Sequence, residues 1–393
     1  MLGAVAPSEM IATLSWLLGT ALAFAFGGAV MTISNERYFR RLSPQAGTPG
    51  AIDLYIAMRD EASNARACLA SFLAQPELRR AIVIDDGSSD ESAAILAQIA
   101  CEDERVLLLS VPEDAPAQRS PKARALAAAI AAAPIEAPFA LFADADVRAL
   151  PGALGATLAA RAALDVGAVT GFPRIRVRDF WAAGCALLPR MLLLEAFPMR
   201  AASGTDPRFA AGNGQWFLVE RDAYVRSGGH AAIVGLVEDI ALASALKRSG
   251  TRVACVDARD CVVVEGYDGL RASLDGLGRS LLGQVGILGS LLYATTYLLR
   301  AVLPIAAVVA WLHLFSTGSG AWFETTFLLT LGAAAPTLAW RSAAAAVERP
   351  RGMPQPPAAP FAVALGLSAF CSGIRGGLRW RGRRIGRANP RPL

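Results

Sequence analysis

Three pairs of acidic residues stand out in this chain because each follows an apolar run or opens a helical one. The pairs are Asp85 with Asp86, Asp144 with Asp146, and Glu238 with Asp239. A surface charge exposed to water is unexpected in such places. Carboxylates held there are suited to binding a metal–nucleotide complex and to removing a proton from a hydroxyl group.

The first pair ends an apolar strand and is followed by a Gly-Ser turn, in the segment AIVIDDGSSDES. Carboxylates at that point can accept hydrogen bonds from the base or ribose of a nucleotide. Ser88, Ser89 or Asp90 can instead cap the following helix, and we interpret Asp90 as a cap. Capping does not require two acids at the strand end.

The second pair repeats this arrangement in ALFADADV. Alternate side chains of an extended chain point the same way, so Asp144 and Asp146 can share a divalent cation. Alternatively, one of them binds the nucleotide and the other the metal. A D-x-D sequence alone is weak evidence, but it follows a buried strand and accompanies the first pair.

The third pair, Glu238 and Asp239, opens a helix whose apolar face carries Ile240, Leu242 and Leu246. Acids are favourable at a helix N-terminus, and capping alone would explain one of the two. The other interpretation is that an aspartate here is a general base for an attacking hydroxyl.

Between residues 50 and 267, short β-branched runs alternate with alanine-rich stretches, which predicts an α/β domain with a mainly parallel sheet. Predicted helices begin near Glu61, Glu91, Pro121, Pro151 and Val237. The predicted strands are Ile52 to Ala57, Ala81 to Ile84, Val106 to Val111, Phe139 to Ala143, Ala168 to Gly171 and Arg252 to Val256. The first two acidic pairs fall just beyond carboxyl ends of strands, where such sheets bind ligands.

The chain is too apolar for a purely soluble enzyme, with 54% hydrophobic residues and a mean hydropathy of +0.40. The uncharged stretch from Met10 to Met31 is long enough to span a bilayer and lacks the features of a cleaved signal peptide. Three arginines follow it, so we expect the bulk of the chain to face the cytoplasm. They are Arg37, Arg40 and Arg41.

Further apolar runs occupy 287–315, 321–340 and 360–374. The first two predict a transmembrane hairpin, although Arg300 and Pro304 suggest that the front of the first lies along the interface. Basic residues flank the third run, which we interpret as interfacial. The predicted divisions are an anchor at 1–34, the α/β domain at 50–270, an interfacial segment at 271–300, the hairpin at 301–342 and a linker, interfacial helix and basic tail at 343–393. These features predict a multi-pass protein of the bacterial inner membrane.

The six cysteines form no C-x-x-C pair, and the two histidines are far apart. Reduced thiols are therefore expected, and any metal should be held mainly by oxygen ligands. The basic tail suits anionic lipid headgroups or acts as a topology anchor. No motif supports nucleic-acid binding. The arginines of this tail are Arg375, Arg379, Arg381, Arg383, Arg384, Arg387 and Arg391.

Taken in order, these motifs resemble glycosyltransferase family 2, whose members have the GT-A fold, over about Asp53 to Gln284. Asp86 matches the nucleotide-binding aspartate of that family, Asp144 and Asp146 match its D-x-D, and Asp239 in VEDIALA matches its catalytic base. The resemblance implies an inverting transfer from a nucleotide-sugar donor, with UDP preferred, assisted by Mn2+ or Mg2+.

Other matches depart from the family pattern. Arg59-Asp60-Glu61 resembles its R-N-E, with Asp60 in place of asparagine, and implies donor contacts for Arg59 and Glu61. SPKARALAAAI resembles its G-K-A-x-A-L-N and places Lys122 near the donor, although Ser120 and Pro121 replace the usual glycine context.

The acceptor side resembles transferases that modify hopanoids, carotenoids or sphingolipid-type lipids. On this resemblance Gly212, Asn213, Gly214, Trp216 and Glu238 are acceptor-side residues. Arg279 and Gln284, which lie later in the chain, are expected to contact diphosphate or acceptor, or to pack at the interface.

The Q-x-x-R-W signature of processive members is absent, because Gln284 is followed by Val-Gly-Ile-Leu. This favours a single transfer onto a membrane lipid over a processive polysaccharide synthase. A nucleotidyl or phosphoglycosyl transferase and a catalytically inactive membrane scaffold remain as alternatives.

Overall fold

The structure is a computed structural model that describes residues 7–110, 120–233, 237–318, 320–375, 378–380 and 383–385. Most of the arginine-rich tail, including Arg381, Arg387 and Arg391, lies outside the described residues.

The chain alternates helices and strands along most of its length. The helices are α1 (Pro7–Tyr38), α2 (Ala62–Leu73), α3 (Ser92–Glu102), α4 (Pro121–Ala132), α5 (Ala153–Leu164), α6 (Phe180–Ala186), α7 (Leu188–Ala196), α8 (Met199–Ala202), α9 (Arg221–Arg226), α10 (Glu238–Arg248), α11 (Gly269–Thr317), α12 (Phe323–Ala334), α13 (Thr337–Ala344) and α14 (Ala358–Ile374). Short 3-10 helices lie at Pro207–Phe209, Gly229–Ala232 and Gly320–Trp322.

The strands are short, and several lie beside the acidic pairs. They are β1 (Arg40–Arg41), β2 (Ile52–Met58), β3 (Leu78–Asp85), β4 (Val106–Ser110), β5 (Phe139–Ala143), β6 (Val147–Ala149), β7 (Ala168–Phe172), β8 (Arg174–Arg176), β9 (Trp216–Glu220), β10 (Val253–Asp257), β11 (Val262–Glu265), β12 (Val347–Glu348), β13 (Leu378–Trp380) and β14 (Arg383–Ile385).

Among the described residues, eight strands form the main sheet in the order β1-β10-β7-β9-β5-β2-β3-β4. Neighbouring strands are parallel except at β9, which runs antiparallel to both β5 and β7. The predicted α/β fold with a mainly parallel sheet is confirmed.

The order of the strands reverses at β2. The chain builds outward from β2 to β3 and β4, then returns so that β5 pairs with the other side of β2. Ligands of open α/β sheets bind at such a reversal, beyond the carboxyl ends of the strands. Arg59 follows β2 at this point and Asp144 follows β5.

Helices cover both faces of the main sheet, which is why its central strands are largely apolar. Successive residues of β2 face opposite sides, so Leu54 and Ile56 join a core cluster with α2, α3 and α5. Tyr55 joins a second cluster with α4, α9 and α10. The helices that carry Lys122 and Asp239 therefore pack on the same face.

A smaller sheet was not predicted from the sequence. In it β11 pairs antiparallel with β6 and parallel with β8. Because β6 directly follows Asp146 and the backbone N–H of Glu265 donates to the carbonyl of Asp146, this sheet fixes the far side of the D-x-D segment.

The described chain divides into two compact units. The sheet unit contains Arg37–Val177 and Pro198–Gly266, and the helical unit contains Arg178–Phe197, Tyr267–Gly376 and the first residues up to Glu36. Residues 178–197, which fall within the predicted domain at 50–270, thus belong to the helical unit. Helices α6 and α7 of this segment pack against α11, α13 and α14.

The helical unit also corrects the predicted membrane segments. Residues 271–300 and the first arm of the predicted hairpin form the single helix α11, broken only at Gly286 (φ 71°, ψ −173°). The second arm is divided into α12 and α13 at Pro336, which has no N–H to continue the helix. By length and composition, two described helices are able to cross a membrane, at Thr13–Tyr38 and Gly269–Thr317.

Candidate active site

The predicted donor-side residues meet at the carboxyl edge of the main sheet, as their strand positions require. Arg59, Asp86 and Asp144 follow β2, β3 and β5, which are adjacent. The guanidinium of Arg59 donates to the backbone carbonyl of Asp86 at 2.7 Å. One edge of the sheet thus presents residues that are far apart in the chain.

The two acids of the first pair have different environments. Asp85 accepts hydrogen bonds from the backbone N–H and the hydroxyl of Ser88, so its carboxylate holds the turn. The side chain of Asp86 is 3% exposed and forms an ion pair with Arg124. Within this pair, the carboxylate of Asp86 is therefore held at the site by the guanidinium of Arg124.

Asp90 caps helices, as predicted. Its carboxylate accepts from the backbone N–H groups of Ser92 at 2.9 Å and Ala62 at 3.2 Å. It therefore satisfies donors in the first turns of both α3 and α2.

Arg59, Asp60 and Glu61 form the turn between β2 and α2. Asp60 has φ +51°, a left-handed conformation that aspartate and asparagine tolerate better than most residues. Its carboxylate accepts from the backbone N–H of Ser89 at 2.7 Å. This conformation accounts for a short polar residue between Arg59 and Glu61.

The D-x-D acids are partly buried and have different partners. Asp144 forms an ion pair with Lys122. The Oδ1 atom of Asp146 is buried and has no hydrogen-bond partner among the described residues. Burial raises the pKa of Asp146 to about 8, and the neighbouring carboxylates of Asp144 and Glu61 contribute in the same direction.

This donor set fits a divalent cation that is completed by ligands from outside the protein. A buried carboxylate oxygen without a partner beside a second carboxylate is what a hard cation binds. No group of three histidine, cysteine or acidic side chains with metal-binding geometry occurs in the described part of the chain. Asp144 and Asp146 would therefore hold the metal together with a phosphate group or water.

Lys122 lies at the junction of the donor-side acids and the third pair. Its Nζ atom donates to Asp144 and to the carbonyl of Gly214 at 3.0 Å, and lies 3.4 Å from Oε1 of Glu238. Burial lowers the pKa of this lysine, but Asp144 and Glu238 outweigh that effect and raise it. The ammonium therefore stays charged and joins the two halves of the site.

The departure from the glycine context before Lys122 has a structural reason. Ser120 caps α4 by accepting from the backbone N–H of Ala123 at 3.0 Å, and Pro121 occupies the first helical position. Serine and proline are favoured at these positions, and together they begin α4 so that Lys122 lies in its first turn.

Asp239 is held by backbone donors at the start of α10. Its carboxylate accepts from the N–H of Gly214 at 2.8 Å and from its neighbour Ile240 at 2.7 Å. Burial and the adjacent Glu238 raise its pKa to about 7, although Lys122 and these hydrogen bonds act in the opposite direction. A carboxylate with a pKa near neutrality is suited to accept a proton.

The segment 212–214 packs closely on this acid. A Cβ atom on Gly212 would lie 2.4 Å from the backbone carbonyl oxygen of Asp239, and one on Gly214 would lie 2.7 Å from Nζ of Lys122. The amide of Asn213 is used within the loop, donating to the carbonyl of Gly171 at 3.0 Å and accepting from the N–H of Gln215. The two glycines therefore permit close approach, and Asn213 shapes the loop.

Trp216, which was predicted to be an acceptor-side residue, has its side chain in the core. Its side chain is 0% exposed because it begins the central strand β9. The ring stacks on Phe72, and its N–H donates to the hydroxyl of Thr157 at 3.0 Å. Trp216 is a core residue that anchors the loop ahead of it.

Arg279 and Gln284 lie on α11 in the helical unit. Their expected contact with diphosphate or acceptor stays a prediction.

Arg124 was missed by sequence reasoning. It lies two residues after Lys122 on α4, and its guanidinium pairs with Asp86. The sequence did contain a signal for Arg124. In Lys122-Ala123-Arg124, a second cation follows the capping serine closely enough to lie in the first turn of the helix. One turn of α4 thus provides a cation to each of two donor-side acids.

Comparison with known proteins bears on the family and the fold. Residues 53–192 match the model of the family Glycosyl transferase family 2. No curated protein matches the chain significantly. Among solved structures, the mannosyltransferase PcManGT from Pyrobaculum calidifontis, in complex with GDP-Man and Mn2+, is 16% identical with a TM-score of 0.53. The match covers 91% of this chain and 99% of that one.

A weaker similarity is found to S. aureus TarS 1–349 in complex with UDP-GlcNAc. It has 12% identity and a TM-score of 0.38 over 59% of this chain and 66% of that one. The family match over residues 53–192 and the GT-A-like fold support an assignment to glycosyltransferase family 2.

Proposed function

We propose that this glycosyltransferase moves one sugar from a nucleotide-sugar to a hydroxyl or carboxyl group of a membrane lipid, with inversion at the transferred carbon. Asp239 removes the acceptor proton as the bond to the sugar forms and the bond to the nucleoside diphosphate breaks. The observation that carries the proposal is the position of the Asp239 carboxylate, held by Gly214 N–H at 2.8 Å beside the Lys122–Asp144 pair.

The donor half of the site lies along β2, β3 and β5. Asp86, held by Arg124, binds the base or ribose, and Arg59 and Glu61 support the turn beside it. Lys122 is close enough to both D-x-D and Glu238 to stabilise negative charge that develops on the leaving diphosphate.

Asp144 and Asp146 are the residues that would hold Mn2+ or Mg2+. A bound divalent cation supplies positive charge where the leaving diphosphate becomes more negative. The unpartnered oxygen of Asp146 supports this assignment. The complex of PcManGT contains GDP-Man and Mn2+, which is consistent with such a cofactor.

The acceptor half consists of Gly212, Asn213, Gly214 and Glu238, around the general base. Two helices that are long and apolar enough to cross a bilayer support a lipid as acceptor. Hopanoid, carotenoid and sphingolipid-type lipids are the classes we propose. On this account the protein resides in the bacterial inner membrane, with the sheet unit in the cytoplasm and the basic tail on anionic headgroups.

The proposal is tested by incubating the purified full chain with Mn2+, vesicles of bacterial total lipid extract and sugar-labelled UDP-glucose or GDP-mannose. We expect label in the lipid fraction and release of nucleoside diphosphate. Transfer of a sugar phosphate with release of nucleoside monophosphate would contradict the assignment and favour a phosphoglycosyl transferase. Label in a long polymer would instead favour a processive synthase.

A further inference from the structure

Lys247 is a buried cation that the proposed reaction does not use. It lies in the last turn of α10, the helix that begins with Glu238 and Asp239, and its residue exposure is 2%. Its Nζ atom donates to the backbone carbonyls of Ala202 at 2.6 Å and Phe209 at 2.8 Å, with Ala201 further away at 3.4 Å. Three carbonyls of one neighbouring segment therefore surround a single ammonium group.

Burial of this ammonium is costly unless each of its donors is satisfied. No described carboxylate lies within salt-bridge distance, so backbone carbonyls take the place of a counter-ion. The arrangement also provides a donor to carbonyls at the end of α8 and at Pro207–Phe209. Lys247 is thus the group that fastens this irregular stretch to α10.

The same stretch is fastened to α10 at its other end. The N–H of Gly214 donates to Asp239, and Gly212 packs directly on the carbonyl of Asp239. The segment from Met199 to Gly214, which we name the platform segment, is therefore held at both ends of the helix that carries the proposed base. The carbonyls that Lys247 holds and the glycines that pack on Asp239 belong to the same short segment. A displacement at Lys247 is therefore expected to reach the loop beside Asp239.

We propose that Lys247 is a positioning residue that sets the platform segment on α10 and thereby determines how the acceptor is held against Asp239. The inference rests on the proposed function, because it takes residues 212–214 as the acceptor side. It assigns Lys247 no part in donor binding, since Asp86, Asp144 and Lys122 are held by other elements.

The first test is hydrogen–deuterium exchange in the full chain with Lys247→Met, which keeps the length of the side chain and removes the ammonium. We expect exchange in residues 199–214 to be faster by about tenfold or more, with no change in β3. Arg248→Met is the matched control, because the neighbouring Arg248 is exposed and donates to Ser244 on its own helix. Unchanged protection of the platform segment in Lys247→Met would overturn the proposal.

The second test separates acceptor from donor in steady-state transfer, with total lipid extract in vesicles as acceptor and UDP-glucose or GDP-mannose as donor. We expect the KM for lipid to rise about tenfold while the KM for donor stays within about twofold. Equal changes in both constants, or no change in either, would contradict a positioning role on the acceptor side.

Lys247→Gln retains N–H donors for the carbonyls and guards against a failure of Lys247→Met to fold. We expect it to restore part of the protection and part of the acceptor affinity. If Lys247→Gln matches the wild type in both hydrogen–deuterium exchange and KM for lipid, the positive charge of Lys247 has no role, and that would contradict its positioning by the ammonium. The exchange result is independent of turnover, so failure of the proposed function is distinguishable from failure of the Lys247 assignment.

Discussion

Lys122 and Asp144 form an ion pair that joins the first turn of α4 to the carboxyl end of β5. Because Lys122 also reaches Gly214 and Glu238, a single ammonium connects the D-x-D segment with the loop that binds Asp239. Lys122 therefore contacts residues of both the proposed donor half and the proposed acceptor half.

Metal dependence follows from the environment of Asp146. Its Oδ1 atom has no partner among the described residues. Replacing Asp146 with asparagine removes its negative charge and one of its two oxygens, and leaves one carboxylate in the D-x-D segment. We expect Asp146→Asn to weaken Mn2+-dependent donor binding by about 100-fold, since each carboxylate is a major part of a two-acid site. Calorimetry with UDP-glucose or GDP-mannose, with and without Mn2+, measures this. Unchanged affinity would mean that the metal, if used, is held elsewhere.

The pH dependence of transfer reports the state of Asp239. Its pKa is raised to about 7, so the carboxylate is protonated below that value and cannot accept a proton. We expect kcat/KM to rise about tenfold per pH unit below 7 and to level off above it. A profile that is flat between pH 5 and 8 would argue against this residue as the base.

The same shift affects stability in the opposite sense. The folded-state pKa lies above the ordinary value of 3.8, so between about pH 4 and 7 the native state retains a proton that the unfolded chain has lost. The contribution of Asp239 to the free energy of unfolding is therefore greatest at low pH and is lost as pH rises through 7. We expect Asp239→Asn to raise the thermal unfolding midpoint relative to wild type at pH 8 and to have less effect at pH 5. A larger gain at pH 5 would contradict the assigned direction of the pKa.

The glycines of the acceptor loop give a steric prediction. A Cβ atom on Gly212 would clash with backbone at 2.4 Å, which cannot move as a side-chain end can. Gly212→Ala should therefore lower kcat/KM by about 100-fold or more through displacement of Asp239. Gly204→Ala is the matched control, because its Cβ would meet only the Ala201 carbonyl at 3.4 Å. Similar transfer rates for the two variants would show that loop packing does not limit catalysis.

The helical unit contains a buried ion pair whose loss should be costly. Glu195 and Arg300 are 2.7 Å apart with side chains 6% and 7% exposed, and Tyr297 also donates to Glu195. Removing one partner leaves an uncompensated charge, so we expect Arg300→Met to destabilise the protein by about 3–5 kcal/mol.

The double variant with Glu195→Gln tests this explanation. It should recover part of that loss, which thermal unfolding in detergent micelles measures. If the effects of the two substitutions simply add, the pair is not coupled.

Periodicity in the sequence predicted most of the sheet unit because its strands are buried runs bounded by clear turns. Strand β5 has the predicted bounds, and the five predicted helix starts fall within two residues of the observed ones. The placement of Asp86 and Asp144 followed from the rule that parallel strands end at one edge. Asp239 opens α10, so its position depended on how that helix packs.

Other features depend on long-range contacts that a single sequence does not encode locally. The position of β9 between β5 and β7 is one such feature, and it turns Trp216 from a loop residue into core. The packing of 178–197 with the apolar helices is another, because that segment has ordinary helical composition. The pairing of Arg124 with Asp86 required the orientation of α4, which periodicity alone leaves open.

The most direct test of the account is the transfer rate of Asp239→Asn at pH 8 with Mn2+ and saturating donor. Asparagine keeps the size of the side chain but cannot accept the acceptor proton, so we expect kcat to fall about 10²–10⁴-fold while donor affinity stays within about threefold. Asp222→Asn serves as the control, since that carboxylate is 76% exposed and pairs with Arg221, which is not a proposed site residue. A kcat for Asp239→Asn close to that of the control would contradict the assignment of Asp239 as the catalytic base.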